Sequence, residues 1–312
     1  MTKLNPNPLV SIIVITYNSS KYVLETLESA KAQTYNNIEL IITDDYSTDS
    51  TIEICRAWVN EHRQRFVNVE IVTSPQNTGI PANCNRGIKS ANGEWVKIIA
   101  GDDLLIEDCI HHNISHIVKN TDIKVLFSIK AQYLNNFHED SFLRYIPRST
   151  PTFFFNDTIT PREQYTKLLI EDRIGFTSTS FIQKDSLYDV GLFDERFSLI
   201  EDYPMWLKLT SAGIKLYFMP IVTVKHRRHA DAVYNTTQKY LIKPSFLRNE
   251  ELRKIYVYPH LNWLHRSNFF YQYWSSLILK FFFFNTSNKV TRTLKKVILQ
   301  KINPFNWLIN LK

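Results

Sequence analysis

Four runs of aliphatic and β-branched residues dominate the first hundred positions. They are LVSIIVIT at 9–16, NIELIIT at 37–43, VNVEIVT at 67–73 and EWVKIIA at 94–100. Runs this continuous suit strands buried on both faces, as in a parallel sheet covered by helices. Helical patterns lie between them. Residues 20–33 put Val23, Leu24, Leu27 and Ala30 on one face. Ser50-Thr51-Ile52-Glu53 reads as a capping box opening a helix to about Arg63. Pro81 suits the first turn of a helix through Ser90. A helix over 105–119 and a strand over 125–129 continue the alternation. This order predicts an α/β fold, a doubly wound, mostly parallel sheet. Such sheets bind ligands beyond the carboxyl ends of their strands. The residues there are Thr16-Tyr17-Asn18, Thr43-Asp44-Asp45, Ser74-Pro75-Gln76-Asn77 and Gly101-Asp102-Asp103.

Residues 130–160 are irregular, with Pro147, Pro151 and Phe153-Phe154-Phe155, and read as a mobile loop over a site or an inserted subdomain. A helix at 161–171 and a strand at 176–182 follow. A further helix starts near Glu201-Asp202 and stops at Gly213, a good residue just past a helix end. Short strands at 214–219 and 221–225 lead to His226-Arg227-Arg228-His229. The main domain is expected over 1–235, with a helical appendage over 236–312.

That appendage is chemically distinct. Residues 252–312 hold ten Lys/Arg, no Asp or Glu and fourteen of the 42 aromatic residues. The chain's net +7 is thus a tail at +10 on a domain at −3. Val290, Leu294, Val297, Ile298 and Ile302 recur at helical spacing among Lys289, Arg292, Lys295, Lys296 and Lys301. A basic amphipathic helix of this kind lies in a membrane interface or else packs on the main domain; an anionic membrane surface is the expected partner. Lys280 interrupts the aromatic run at 268–284, which falls short of the about 20 apolar residues a span needs. Nucleic acid is not expected, because no nucleic-acid motif is present and the main domain is acidic. Cys55, Cys84 and Cys109 form no CxxC pair, which suits reduced thiols in a cytoplasm. MTKLNPNPLV carries no long apolar run, which argues against a signal peptide.

The paired carboxylates leave two readings each. Asp102-Asp103 suits a hard divalent cation, Mg²⁺ or Mn²⁺, or else a solvated turn capping the next helix. Asp44-Asp45 suits a ribose or base edge, or else the turn chemistry of the following Tyr46-Ser47-Thr48-Asp49. Glu201-Asp202 suits a general base, or else favourable charge at a helix start. His226 and His229 suit a metal or phosphate contact, or else a basic strand end. Neither GxGxxG nor GxxxxGK[ST] occurs, so a nucleotide would bind without a glycine cradle.

In order, the chain carries PLVSIIVITYNSSKYVLETLESAKAQTY, NIELIITDDYSTDST, NTGIPANCNRGIKSANGEW, a strand ending AGDD, and GLFDERF with IEDYPMWLKLTSAG. Over roughly residues 8–235 this closely resembles family 2 glycosyltransferases of the GT-A fold. The resemblance implies transfer of a sugar from a nucleotide-sugar donor, usually a UDP-sugar, to an acceptor hydroxyl. It puts Thr16, Tyr17 and Asn18 against the nucleoside and Asp44, with Asp45 beside it, at the uracil. Asn77, Asn83 and Arg86 would line the nucleotide side, and Gly101, Asp102 and Asp103 the diphosphate. The AGDD segment matches the family's DxD element with one departure: Ala100 stands where the first carboxylate is usual. Asp102 matches the metal-contacting carboxylate, Asp202 the catalytic base with Glu201 beside it, and His229 a further metal contact, with His226 as the alternative.

The implied chemistry is inverting transfer with Mn²⁺ or Mg²⁺. With the basic tail it suggests a glycan acceptor on a polyprenyl diphosphate, in bacterial O-antigen or capsule synthesis. The place of action would be cytoplasmic, peripheral on the inner face of the cell membrane. A non-catalytic glycan- or nucleotide-binding relative is the alternative, supported by Ala100. A nucleotidyltransferase would need a Gly-rich basic loop where Thr16-Tyr17-Asn18-Ser19-Ser20 stands.

Overall fold

The computed structural model describes residues 5–171, 174–230, 240–242 and 244–310. It divides into two compact units, residues 1–228 and 229–312.

In the first unit the strands are β1 (Val10–Thr16), β2 (Ile38–Asp44), β3 (Val69–Thr73), β4 (Trp95–Ala100), β5 (Leu104–Leu105), β6 (Val125–Leu134), β7 (Phe142–Ile146), β8 (Phe181–Gln183) and β9 (Leu216–Arg228). The helices are α1 (Val23–Lys31), α2 (Thr51–His62), α3 (Ile80–Ser90), α4 (Cys109–Lys119), α5 (Pro161–Ile170), α6 (Lys184–Asp189) and α7 (Asp202–Ser211). The described strands form one sheet in the order β3-β2-β1-β4-β8-β6-β9-β5, with β7 paired to β6. β1 pairs in parallel with β2 and β4, β2 with β3, and β6 with β9. The short β8 joins the two parallel sets and is antiparallel to both β4 and β6. β1, β2, β3, β4, β6 and β9 therefore all point the same way, and their carboxyl ends share one edge of the sheet. Both faces are covered. Val10, Ile12 and Val14 pack in one cluster with Val23 and Leu27 of α1 and Cys55 and Trp58 of α2. On the other face α3 lies so close that a Cβ on Gly87 would be driven into Ile13 Cγ2.

Several expectations need correction. The segment after residue 129 is no loop or subdomain at its start: β6 runs on to Leu134 and turns back into β7. The two strands expected over 214–225 are one, because Pro220 interrupts the pattern and the register only shifts there. The strand expected over 176–182 is a 3₁₀ turn at Thr177–Thr179 followed by β8. The helix expected from 105 begins at Cys109, because Leu104 and Leu105 pair with β9. The Ser50 side chain makes no capping bond to α2; the carboxylate of Asp49 accepts from the Thr51 and Ser20 N–H groups instead. Gly213 does end α7, at φ 83°, with Gly213 N–H to Thr210 O and Ile214 N–H to Leu209 O. All three cysteines are free and buried.

The second unit contains α8 (Pro244–Tyr256), α9 (Trp263–Phe282), α10 (Lys289–Lys296) running into a π-helical turn at Val297–Lys301, and α11 (Pro304–Asn310). Asn262 caps α9 by accepting from His265 N–H, and Asn288 forms a reciprocal capping box with Thr291 at α10. Leu241, Ile242 and Leu279 form a small core, against which Phe283, Leu294 and Ile298 pack. Among the described residues no helix is long and apolar enough to cross a membrane.

Gly79 controls the approach of the segment leading to Glu201. Its φ is +89°, and a Cβ there would stand 2.7 Å from both Ser198 Cβ and Ser198 O. The neighbouring Ile80 N–H donates to that same Ser198 oxygen at 3.0 Å. We predict that Gly79→Ala costs about 2–3 kcal/mol, through backbone strain and displacement of residue 198. Urea unfolding of the purified chain measures this directly.

Candidate active site

The ends of β1 and β2 are tied together by buried polar groups. Asp44 Oδ1 accepts from Thr16 Oγ1 at 2.8 Å and from Ser47 Oγ at 2.5 Å, and Asp44 Oδ2 accepts from Ser47 N–H at 2.8 Å. Asn18 sits at φ 50°, and its side-chain oxygen accepts from Thr48 N–H. Tyr17 between them is exposed. Asp45 is buried and accepts from the Thr78 and Gly79 N–H groups, the Thr78 hydroxyl and Arg86, whose Nη2 lies 2.6 Å away. Burial opposes the charge on Asp45, but the bonds from Thr78 and Arg86 hold its carboxyl below the ordinary range. Asn83 donates to the backbone oxygens of Thr16 and Thr43 and accepts from Arg86. Asn77 is exposed on the loop before α3. Asp44, Asp45, Asn83 and Arg86 thus shape the wall behind these strand ends, while Tyr17, Asn18 and Asn77 lie at its surface.

At the end of β4, Gly101 N–H donates to Ile15 O at 2.9 Å. A Cβ on Gly101 would meet Thr16 Cγ2 at 2.9 Å, so only glycine lets β4 leave the sheet this close to β1. Asp102 is half-buried, whereas Asp103 is 2% exposed. Asp103 accepts from Arg227 N–H at 2.9 Å, and both its oxygens lie 3.0 Å from His226 Nδ1. Arg227 Nε donates to Asp102 O at 2.9 Å. His226 is therefore a partner of Asp103. His229 begins the second unit and is buried.

Glu201 and Asp202 are half-buried at the start of α7. Asp202 Oδ2 accepts from Thr177 Oγ1 at 2.8 Å, and Asp202 Oδ1 from Tyr203 N–H at 2.7 Å. Burial raises the proton affinity of Asp202, with these bonds and the charge of Lys130 pulling the other way. Burial, followed by the charge of Asp202, pushes Glu201 up to about 8.

Three residues were missed in the sequence. Lys130 of β6 is buried; burial lowers its proton affinity, while the charges of Asp103 and Asp202 sustain it. Lys97 of β4 is fully buried, and its ammonium donates to Ser178 O at 2.6 Å and Ser180 O at 3.3 Å. Burial pushes Lys97 down to about 8. These carbonyls lie within and just after the turn that brings Thr177 to Asp202. The available signal was a lysine within a strand otherwise reading as buried on both faces, since a buried ammonium demands specific partners. Thr177 gave no signal of its own.

The donor chemistry at the β4 end is oxygen-only. Among the described residues no three His, Cys, Asp or Glu side chains gather into a preformed metal cage. A hard cation held by one or two carboxylates and the substrate's own phosphates needs none, so Asp102 fits Mg²⁺ or Mn²⁺ of that kind.

Comparison with known proteins agrees with this architecture. The model for the family "Glycosyl transferase family 2" matches residues 11–193. The Escherichia coli UDP-Glc:alpha-D-GlcNAc-diphosphoundecaprenol beta-1,3-glucosyltransferase WfaP is 30% identical over 239 residues, covering 76% of this chain and 84% of that one. S. aureus TarS 1-349 in complex with UDP-GlcNAc superposes with a TM-score of 0.60 at 20% identity, over 86% of this chain and 72% of that one. In a further TarS 1-349 structure the match spans 60% of the TarS chain. The Pyrobaculum calidifontis mannosyltransferase PcManGT, in complex with GDP-Man and Mn²⁺, superposes at 0.54 with 17% identity, over 97% of this chain and 73% of that one. The solved structures bear on the fold, which is GT-A; the family match bears on the activity. This chain belongs to glycosyl transferase family 2 and is a glycosyltransferase.

Proposed function

We propose that the enzyme is an inverting transferase moving a sugar from a UDP-sugar to a hydroxyl of a glycan carried on a polyprenyl diphosphate, in bacterial surface polysaccharide assembly. The observation that carries the mechanism is the fixed carboxylate of Asp202 at the start of α7, whose Oδ2 accepts from Thr177 Oγ1 at 2.8 Å and whose Oδ1 accepts from Tyr203 N–H at 2.7 Å. The buried Lys130, whose proton affinity the charges of Asp103 and Asp202 sustain, supports reading the β4 end and this carboxylate as parts of one site. The WfaP name supports the acceptor class and the UDP donor. The net charge of +10 over residues 252–312 supports action at the anionic inner face of the cell membrane.

In this mechanism Asp202 Oδ accepts the proton of the acceptor hydroxyl as its oxygen bonds to the anomeric carbon. The bond from that carbon to the diphosphate breaks on the opposite side, and the nucleoside diphosphate departs with the electron pair. A divalent ion held by Asp102, Mn²⁺ or Mg²⁺, would offset the charge of the leaving diphosphate. Thr177 fixes the rotamer of the base. Lys130 limits the rise in its proton affinity. The Asp45–Arg86–Thr78 network keeps the wall of the nucleotide side rigid.

Calorimetry with UDP, GDP and TDP, each with and without Mn²⁺, tests the donor class. Manganese-dependent binding of UDP is expected; preference for another nucleotide overturns the UDP assignment. Asp202→Asn should lower kcat by roughly 10²–10⁴-fold with UDP binding retained. A variant as active as the native chain would remove Asp202 from the chemistry. Transfer to polyprenyl-diphosphate-linked GlcNAc should give a product of inverted anomeric configuration.

The pH dependence of stability follows from Glu201. Its carboxyl is held near 8 in the folded chain against an ordinary 4.5. The folded state keeps a proton that the unfolded chain sheds, so this contribution is complete below pH 4.5 and is lost as pH rises towards 8. Glu201→Gln has no such loss. The melting temperature of the variant should gain on the native value between pH 5 and 8 and run parallel to it at lower pH. Thermal unfolding across that range is the check.

A further inference from the structure

The sequence assigns the lipid-facing role to the apolar stripe of residues 285–302. The fold uses part of that stripe otherwise, because Leu294 and Ile298 pack inward against the core of Leu241, Ile242 and Leu279. Val290 and Ile302 at the two ends of that stripe stay exposed, but the longer aromatic stripe in solvent belongs to α9. Trp263 is 69% exposed, Phe270 42%, Trp274 59%, Ile278 54% and Phe281 79%. Their spacing is i, i+7, i+11, i+15 and i+18, one face of a helix; the buried Ser276 and Leu279 fall on the other side. An exposed aromatic face of this length marks an interaction surface. Charge decides the occupant. Lys280 lies within α9, and Lys289, Arg292, Lys295, Lys296 and Lys301 follow it without a single carboxylate; Lys289, Arg292, Lys296 and Lys301 are exposed. A second copy of this basic unit would be repelled, whereas an anionic bilayer attracts it and takes Trp at its headgroup level.

We infer that the aromatic face of α9 is the surface that inserts into the headgroup layer of an anionic membrane, with the lysines and arginine of α10 supplying long-range attraction. This rests on the membrane-surface reading above and names the inserting face. Burial of rings is insensitive to salt, whereas the attraction is screened. The full-length chain is mixed with phosphatidylcholine vesicles containing about a third phosphatidylglycerol, at low and high salt. The native chain should bind in both. The exposed-face variant Trp274→Ser/Phe281→Ser should bind at least about tenfold more weakly at both salt levels, with an unchanged melting temperature. The variant Lys289→Gln/Arg292→Gln/Lys296→Gln should lose affinity at low salt only. Equal binding by the native chain and the Trp274→Ser/Phe281→Ser variant overturns the assignment to α9 while leaving membrane attachment standing. No binding by the native chain overturns both. Sedimentation without vesicles that shows dimers abolished by the same two serines would make the face an interface between copies, and also overturns the inference.

Discussion

A carboxylate taken almost wholly out of water must be met by donors, and Asp103 finds its donors on a strand more than a hundred residues further along the chain. The Arg227 N–H and His226 Nδ1 both come to it from the end of β9. The guanidinium of Arg227 then reaches further. It donates to Asp102 O and Asn135 O, pairs with Glu25 at 3.1 Å and lies over the rings of Tyr22 and Phe137. One buried arginine thus joins the ends of β4, β6 and β9 with α1. Bonds from one buried guanidinium to two distant backbone oxygens strongly penalise any arrangement that separates them. Here the arrangement they enforce is the placement of the Asp102 turn at the edge where six strands end.

The opposite half of the site obeys a different rule. Asp45 is surrounded by donors that favour its charge. Glu201 and Asp202 are desolvated with fewer donors between them, and their mutual repulsion raises the proton affinity of Glu201 further. Carboxylates whose surroundings push them in opposite directions suit opposite tasks: in the proposed mechanism Asp45 shapes the nucleotide side and Asp202 accepts a proton. β4 links the halves physically: its end carries Asp102, and Lys97 within it holds the carbonyls around the Thr177 turn. Removal of charge from the middle of that strand would therefore be felt at the base, although Lys97 touches neither carboxylate of the pair.

What could be read from the sequence follows from the same physics. β1, β2 and β4 were legible because strands covered on both faces have continuous apolar composition, and their ends are then the ligand edge by topology alone. β7 was not legible, since Phe142 to Ile146 is mostly exposed and lacks the alternation of a half-buried strand. β5 is two residues long and exists only through pairing with β9. Asp102, Asp103 and Asp202 stood out by position beside strands and a helix start. Arg227, Lys130 and Lys97 did not, because their partners lie up to 125 residues away and no local pattern encodes that distance.

The second unit shows the same limit in another form. An apolar stripe at helical spacing states that a face will be covered, not by what. On α10 the stripe is covered in part by Leu241, Ile242 and Leu279, residues whose own sequence surroundings gave no hint of a core. On α9 the larger rings are left in water, where roughly 25 cal/mol for each Å² of apolar surface favours any environment that removes them from it. On the proposed function the sugar acceptor, carried on a polyprenyl chain, stays at the bilayer, so the enzyme would gain from a surface that stays there too. Aromatic rings serve that need better than lysines alone, because they hold the protein at a defined depth rather than merely near the charge.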